Sequence, residues 1–469
     1  MEPTPPRQWE PLSLVPILAG LCWLLPQEGW GWLLWALIPG ILLLASGTAL
    51  LLFPGDPRIS AYMALGSAVG VLFFLPAWIA GSFGSAVLAL AGSVAGFMTA
   101  GRAALLREPQ PLEAPAPDTG PRMDIKVGMD EAVLGYFVGG ARLPGAEQAQ
   151  QVCRQAEQML AVYRQRGFDR DPSLLHAAPP PPSSTNVQKA RHRGQDYELL
   201  RFDSGFAPDA GLPGAAAWKG HAANNECHVR LLRHPGPPRP WLLCIHGYRM
   251  GDTWLDFSLF SPRWLHQRMG FNIIQPVLPL HGPRRGGARS GDHYLDGDPL
   301  DLVHAQSQAL WDLRRSLAWL RHSEGKPRVG VLGYSLGGYN TALLASYERQ
   351  LDFAVAIIPV MDFASALMRF LPPAHLRYYR HYGLDEQRYR EILQVVSPLA
   401  RAPLLPRERL HVVAATADRI VLPQHPLMLG RHWNVPVTWY QGSHLSIRYE
   451  REPGQVLRHA ALSAGWPVT

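Results

Sequence analysis

Lysine is scarce in this chain of 469 residues: only four of the 44 basic side chains are lysine, and the other 40 are arginine. Charge of either sign is missing from one long stretch. Between Pro11 and Gly101 the only charged residues are Glu28, Asp56 and Arg58. A soluble domain needs a charged surface, so this stretch is excluded from being one. Cysteine is also sparse. Cys22, Cys153, Cys227 and Cys244 include no C-x-x-C pair, which disfavours zinc ribbons and thioredoxin chemistry. No disulfide framework is expected, which fits a reducing compartment. With 47% hydrophobic residues, the chain is too apolar to be disordered outside a few proline-rich segments.

What is present divides sharply. Residues 1–101 carry a net charge of −2, and the rest of the chain carries +9. The basic part reads as a surface next to anionic lipid. It has no dense Lys/Arg run or binding motif, so nucleic acid is not an expected partner. The length suggests about three domains at roughly 150 residues each.

The uncharged runs are 11–27, 29–55 and 59–101. The last is about twice the roughly 20 residues that span a bilayer, and Gly81 to Gly84 supplies a turn inside it. Four spans follow, near 11–26, 30–53, 60–80 and 83–101. The first is short and holds Pro16. Its leading segment, with Glu2, Arg7 and Glu10, lacks the basic start of a cleaved signal. With four spans, Arg7, Arg58, Arg102 and Arg107 fall on one side, which the positive-inside rule makes cytoplasmic. The chain is therefore expected to be a multi-pass integral membrane protein with its large domain in the cytoplasm. Gly66-x-x-x-Gly70 and Gly92-x-x-x-Gly96 permit close helix packing, and no ionisable residue lies inside a span. The spans read as an anchor, with Trp30, Trp32, Trp35 and Trp78 at the interfaces.

Residues 108–121 form a proline-rich spacer, and a helical pattern covers 147–166 before a second proline-rich break at 178–186. From about residue 195, strands and helices alternate. Segments 197–202 and 227–233 suggest an early antiparallel hairpin. Buried strands follow at 241–247, 271–279, 328–335, 353–360, 409–416 and 436–440. Such alternation predicts an α/β fold with a mostly parallel sheet covered by helices on both faces. The plan is a membrane region over 1–107, a linker and helical connector over 108–194, and a catalytic domain over 195–469. A helical cap insertion lies near 361–408.

The strongest chemical signal is Gly333-Tyr334-Ser335-Leu336-Gly337-Gly338, set between an apolar strand and a helix. There a serine sits on a strained strand-to-helix turn, and small residues at Gly333 and Gly337 avoid clashes. A serine needs a base, and the base needs an orienting acid, in the chain order Ser, acid, His. Asp418 and His444 follow strands and fit that order. Asp362 competes as the acid, and His411, His425 and His432 compete as the base. Two backbone N–H groups must face the developing oxyanion. Leu336, after the serine, and Tyr248, after the strand 241–247, are the candidates. The Arg249 side chain is a candidate for an anionic substrate group, and His281-Gly282 reads as a loop feature.

At this point the chain resembles the α/β-hydrolase superfamily over about residues 195–465, through CIHGY, GYSLGG, ATADRIVLP and GSHLS in the family's order. The resemblance implies Ser335 as nucleophile, Asp418 as acid, His444 as base and an oxyanion hole from the Tyr248 and Leu336 amides. It implies no metal and no organic cofactor. Two insertions should select the substrate. Residues 280–300 carry Arg284, Arg285 and Arg289, read as a solvated surface or a phosphate-binding group. The cap carries Met361, Phe363, Leu367, Met368, Phe370 and Leu371, suited to a lipophilic ester or to packing on the core.

The reading is a membrane-anchored serine hydrolase that cleaves carboxylic esters of small-molecule or lipid type through an acyl-enzyme. A serine peptidase or an acyltransferase on the same fold is the runner-up. A non-catalytic membrane scaffold is the third reading.

Overall fold

The computed structural model describes residues 10–26, 28–108, 110–140, 144–295 and 297–468. Arg7, one of the residues behind the expected orientation, lies outside them, as does Glu2. The chain divides into two compact units. The first holds Met1–Arg142, Ala415–Gln424 and Trp439–Glu450; the second holds Leu143–Ala414, His425–Thr438 and Arg451–Thr469.

In the first unit, helices α1 (Glu10–Leu24), α2 (Trp30–Leu52), α3 (Pro57–Ala80) and α4 (Phe83–Arg107) coincide with the four expected spans. Of these, α2, α3 and α4 are long and apolar enough to cross a membrane; α1, with 15 residues, is shorter. Local chemistry sets the starts. Asp56 accepts the N–H of Arg58, and Pro57 occupies the first turn of α3, where its missing N–H costs nothing. Ser82 caps α4 by accepting from Ser85 N.

The small-residue patterns lie on helix contacts, as their spacing predicts. A side-chain carbon at Gly70 would come within 2.3 Å of Ser93 Oγ, and one at Gly92 within 3.0 Å of Ala19 Cα. One tryptophan departs from expectation. Trp32 is buried and donates to Trp23 O at 2.9 Å, while the Trp23 indole donates to Ser93 Oγ. An indole N–H inside an apolar bundle needs an acceptor, and Trp32 finds it within the bundle instead of at an interface. Trp30, by contrast, is 87% exposed.

A fifth helix, α5 (Pro121–Gly139), begins at the end of the expected spacer and lies in the connector, ahead of the helix expected over 147–166. Gly120 precedes it and Pro121 starts it. Its buried face joins Met123, Val127 and Leu134 to two carboxylates, Asp130 and Glu131. Those charges on the inner face hide the helical period from a hydrophobicity reading.

Among the described residues of the second unit, helix α6 (Ala146–Arg166) precedes the strands. The strands are β1 (Asn186–His192), β2 (Gln195–Asp203), β3 (Glu226–Leu232), β4 (Trp241–Ile245) and β5 (Asn272–Pro276). They continue as β6 (Val329–Tyr334), β7 (Phe353–Ile357), β8 (Leu410–Ala415) and β9 (Val437–Tyr440), of which Ala415 and Trp439–Tyr440 belong to the first unit. They form one sheet in the order β1-β2-β3-β5-β4-β6-β7-β8-β9. The β1/β2, β2/β3 and β3/β5 pairs are antiparallel; the pairs from β5/β4 through β7/β8 are parallel. This is the α/β-hydrolase fold, with one additional edge strand.

Strands β4 to β7 are buried throughout, as parallel strands covered on both faces must be. The strand β1 was not expected. It is polar and mostly exposed, and it is specified by the Arg193-Gly194 turn, both residues having positive φ. The segments 197–202 and 227–233 do pair antiparallel but are not the expected hairpin: the tight hairpin is β1/β2, and between β2 and β3 the chain makes a longer excursion containing the helix Ala215–Lys219.

The insertion over 361–408 carries the helices Phe363–Met368, Pro373–His381 and Glu386–Leu393. Tyr163 of α6 donates to Ile392 O at 3.1 Å, so the connector helix supports it. Met361, Phe363 and Met368 are buried, and the Phe363 ring lies 4.8 Å from that of Tyr339. Leu367, Phe370 and Leu371 remain partly exposed.

Candidate active site

The nucleophile candidate lies in the second unit. Strand β6 ends at Tyr334 and the helix Leu336–Ala345 begins two residues later, with Ser335 alone in the turn. Ser335 has φ 57° and ψ −114°. An L-residue with a Cβ adopts this backbone only under constraint. The constraint is visible: Ser335 N donates to Ile357 O at 2.9 Å, and Tyr339 N donates to Ser335 O at 3.0 Å. The turn also demands bare backbone beside it. A Cβ at Gly337 would stand 1.9 Å from Ile245 O, and one at Gly333 would stand 2.1 Å from Gly337 O. The amide of Leu336 opens the helix, where first-turn N–H groups have no intrahelical acceptor.

The turn after β4 lies against this serine. A Cβ at Gly247 would be 3.6 Å from Ser335 Cβ, and Tyr248 follows directly. His246, just before it, is fully buried. Its Nδ1 bonds to Gly247 O at 2.8 Å and its Nε2 accepts from Leu278 N at 3.0 Å. Burial pushes its pKa down to about 3, so it is a neutral brace for the loop. His281 is likewise buried and bonded through Nδ1 to Pro279 O.

Arg249 differs from its expected role. Its guanidinium pairs with Asp292 and donates to Ser290 O at 3.1 Å, so its charge is already matched. Arg284 is a clearer correction. It is neither a solvated surface group nor an open phosphate ligand. It is fully buried and donates to Val277 O, Asn224 O and Asp312 at 2.7–2.8 Å. Its planar five-donor guanidinium fits a ready-made set of acceptors, something the polar loop sequence does not reveal. Arg285 and Arg289 stay near the surface, 3.7 Å from Asp252 and 3.4 Å from Asp292.

The acid and base candidates both lie in the first unit, on its segments Ala415–Gln424 and Trp439–Glu450. His444 Nδ1 donates to Asp418 Oδ2 at 2.7 Å, and both residues are buried. Asp418 Oδ1 accepts from Ile420 N at 3.0 Å and Val421 N at 2.7 Å, which holds the carboxylate in place. With Nδ1–H committed, Nε2 is left as the basic nitrogen. Burial works against a charged ring. The Asp418 carboxylate, the hydrogen bond to it and the charge of Asp130 outweigh this and hold His444 above the ordinary imidazole value.

The competitors are engaged elsewhere. Asp362 caps the helix Phe363–Met368, accepting from Ala364 N and Ser365 N, and takes Arg390 at 2.7 Å. His425 Nδ1 accepts from Met361 N and Asp362 N, and His432 Nε2 bonds to Arg401 O. His411 faces His459, and burial pushes its pKa down to about 4.

One residue at this pair has no signal in the sequence. Asp130 of α5 is completely buried. Its Oδ2 accepts from His444 N at 2.8 Å and Arg419 N at 3.1 Å; its Oδ1 accepts from Leu445 N at 3.0 Å. Ser443 Oγ lies 2.9 Å from Oδ1 and 2.8 Å from Lys126 O, with one proton for the two acceptors. Burial and the Asp418 charge push Asp130 up to about 7, against the pull of His444 and the two amides of the base turn. Among the described residues, no group of three or more His, Cys, Asp or Glu is arranged to hold a metal ion.

No family model matches the sequence. Over 305 residues the chain is 39% identical to the uncharacterized protein MT2702 of Mycobacterium tuberculosis, a match covering 65% of this chain and 73% of that protein. It matches Rv2627c of the same organism at the same identity and coverage, 39% over 305 residues. Among solved structures it is similar to the acetyl xylan esterase from Paenibacillus sp. R4. That likeness has a TM-score of 0.44 and 14% identity, covering 64% of this chain and 94% of that one. The chain belongs to the family of the Mycobacterium tuberculosis proteins MT2702 and Rv2627c.

Proposed function

We propose that this protein is a membrane-anchored serine hydrolase that cleaves carboxylic esters through an acyl-enzyme, with Ser335 as nucleophile, His444 as base and Asp418 as acid. The observation that carries the reading is the backbone of Ser335, held at φ 57° between β6 and a helix N-terminus. A serine kept in that strained turn projects its hydroxyl away from the chain, the geometry of an attacking group. The buried pair of Asp418 and His444 supports it by supplying an oriented imidazole with Nε2 available.

In the reaction, His444 Nε2 takes the Ser335 hydroxyl proton as Oγ bonds to the ester carbonyl carbon. The Leu336 and Tyr248 amides donate to the oxyanion. Collapse breaks the bond to the alcohol oxygen, which leaves with the proton from His444. Water then attacks the acyl-enzyme by the same route in reverse, giving the acid and free Ser335. Asp418 stabilises the imidazolium in both halves. This chemistry needs no cofactor.

Leu367, Phe370 and Leu371, partly exposed on the insertion, favour an apolar acyl group, including that of a lipid. The apolar lengths of α2, α3 and α4 support anchoring in a bilayer. The arginines at 58, 102 and 107 favour a cytoplasmic catalytic domain. The test is fluorophosphonate labelling of membranes holding the wild type or Ser335→Ala. Labelling of the wild type alone supports the reading; equal labelling of both, or none of the wild type, overturns it.

A further inference from the structure

The reaction outlined above leaves the buried carboxylate of Asp130 without a role. Its three backbone donors come from two different turns. Arg419 directly follows the acid; His444 is the base and Leu445 its successor. A single carboxylate therefore ties the acid turn to the base turn through the main chain. Each of these amides is buried or partly buried, and loss of the acceptor would leave it unsatisfied. The turns would then relax, and the imidazole would shift with them.

Asp130 is itself held firmly from behind. Helix α5 approaches α4 so closely that a side-chain carbon at Gly101 would stand 2.0 Å from Asp124 O. It approaches α3 with Gly135 set against Ala61 O at 2.3 Å by the same measure. The next residue, Glu131, accepts from Ser60 Oγ of α3 at 2.6 Å. On the acid turn, Ala417 packs in one cluster with Ala104 of α4 and with Met123 and Val127 of α5. Arg419 also donates to Ala104 O at 3.3 Å.

We propose that Asp130 is a positioning residue for hydrolysis: it fixes the base turn and the acid turn to each other and to helices α3 and α4. The membrane region thereby holds the catalytic base in register, a role beyond anchoring. The inference rests on His444 being the base of the proposed reaction.

The charged and titratable groups around Asp130 are few. Asp418 and His444 face it from the two turns, and Arg419 presents its amide. On α5, Lys126 is paired with Glu450 at 2.7 Å, and Glu131 lies 3.7 Å from Arg107 of α4. Asparagine at position 130 keeps the size, retains an acceptor for two of the amides and loses the charge.

The experiment uses the full-length protein in membranes, with Asp130→Asn, Ser443→Ala and Ser335→Ala beside the wild type. A fluorophosphonate counts competent sites, and hydrolysis of 4-nitrophenyl butyrate gives kcat and KM per counted site across the imidazole pH range. The expected result for Asp130→Asn is a kcat per site lower by about tenfold or more, with KM within about twofold. The midpoint of its pH profile should move to lower pH, because a negative charge beside the imidazolium is gone. Ser443→Ala should lower kcat per site by about threefold through the same turn.

A wild-type kcat per site and pH profile in Asp130→Asn, even with fewer competent sites, overturns the proposal and leaves Asp130 a purely structural cap. If Asp130→Asn does not fold, Ser443→Ala decides alone: unchanged kcat per site overturns, a lowered one supports. Wild type that labels no more than Ser335→Ala refutes the hydrolase reading itself, a result distinct from either.

Discussion

Asp418 Oδ2 and His444 Nδ1 are 2.7 Å apart across 26 residues of chain, both buried, with the other carboxylate oxygen saturated by two backbone amides. The carboxylate cannot rotate away without losing three donors. It therefore fixes one tautomer and one orientation of the ring.

From this pair comes a pH dependence. His444 is held above the ordinary imidazole value, and the proposed reaction needs it neutral. Activity should therefore be lost as pH falls and the ring gains a proton. In ester hydrolysis by the full-length protein, kcat/KM should rise with pH through a midpoint above about 6.5. Asp418→Asn removes the charge that favours the imidazolium, so its residual activity should titrate lower. Its kcat should fall by about 10³–10⁴-fold through loss of the correct tautomer. A midpoint that stays in place in Asp418→Asn would contradict the assignment.

The rival acid is separable by the same assay. Asp362 is occupied by a helix cap and by Arg390. Asp362→Ala should cost about 1 kcal/mol of stability for the cap and leave kcat within about twofold of wild type. A collapse of kcat in Asp362→Ala with normal kcat in Asp418→Asn would reverse the two roles.

Gly337→Ala tests the strained turn. Its new Cβ would be forced to within 1.9 Å of Ile245 O, a main-chain atom of a buried strand. Relief requires the strand or the helix to move, so the cost should reach about 3 kcal/mol. Thermal unfolding should show a lowered midpoint, and fluorophosphonate labelling should fall with it. A variant with the wild-type midpoint and labelling would mean that the turn tolerates a side chain there.

Arg284 and Arg289 share one loop but should respond very differently to replacement. Arg284→Ala leaves Asp312 buried without its cation, at a cost of about 3–5 kcal/mol. Arg289, 44% exposed at its side chain, should be close to neutral on replacement. Thermal melts of the two variants separate a structural ion pair from a surface charge.

Removal of the membrane region gives a broader prediction. A chain beginning after Arg142 lacks α5, and with it Asp130 and the cluster that receives Ala417. Such a truncation should be unreactive toward a fluorophosphonate even when it remains soluble. Wild-type labelling of the truncation would make the helices a dispensable anchor.

Much of the site is legible in local sequence. The turn at Ser335 is written in adjacent residues, because a strand, two glycines and a helix start are all local requirements. Asp418 and His444 are legible by position after their strands. The helices α2, α3 and α4 are legible because apolar length is additive along the chain. The α/β class follows from the alternation of buried strands with helices, and the hydrolase type was implied by the resemblance of four short motifs.

Other features were decided only when distant segments met. Asp130 reaches His444 across 314 positions, and nothing near it in sequence marks it. Its helix was hidden because its inner face carries carboxylates satisfied by partners far along the chain. Trp32 turned inward because an acceptor was waiting on α1, and Arg284 because Asp312 and two carbonyls were. The physical reason is common to all three. Backbone turns and apolar periodicity are short-range properties that the sequence by itself determines. Whether a polar group is buried depends on donors and acceptors that only the tertiary structure assembles around it.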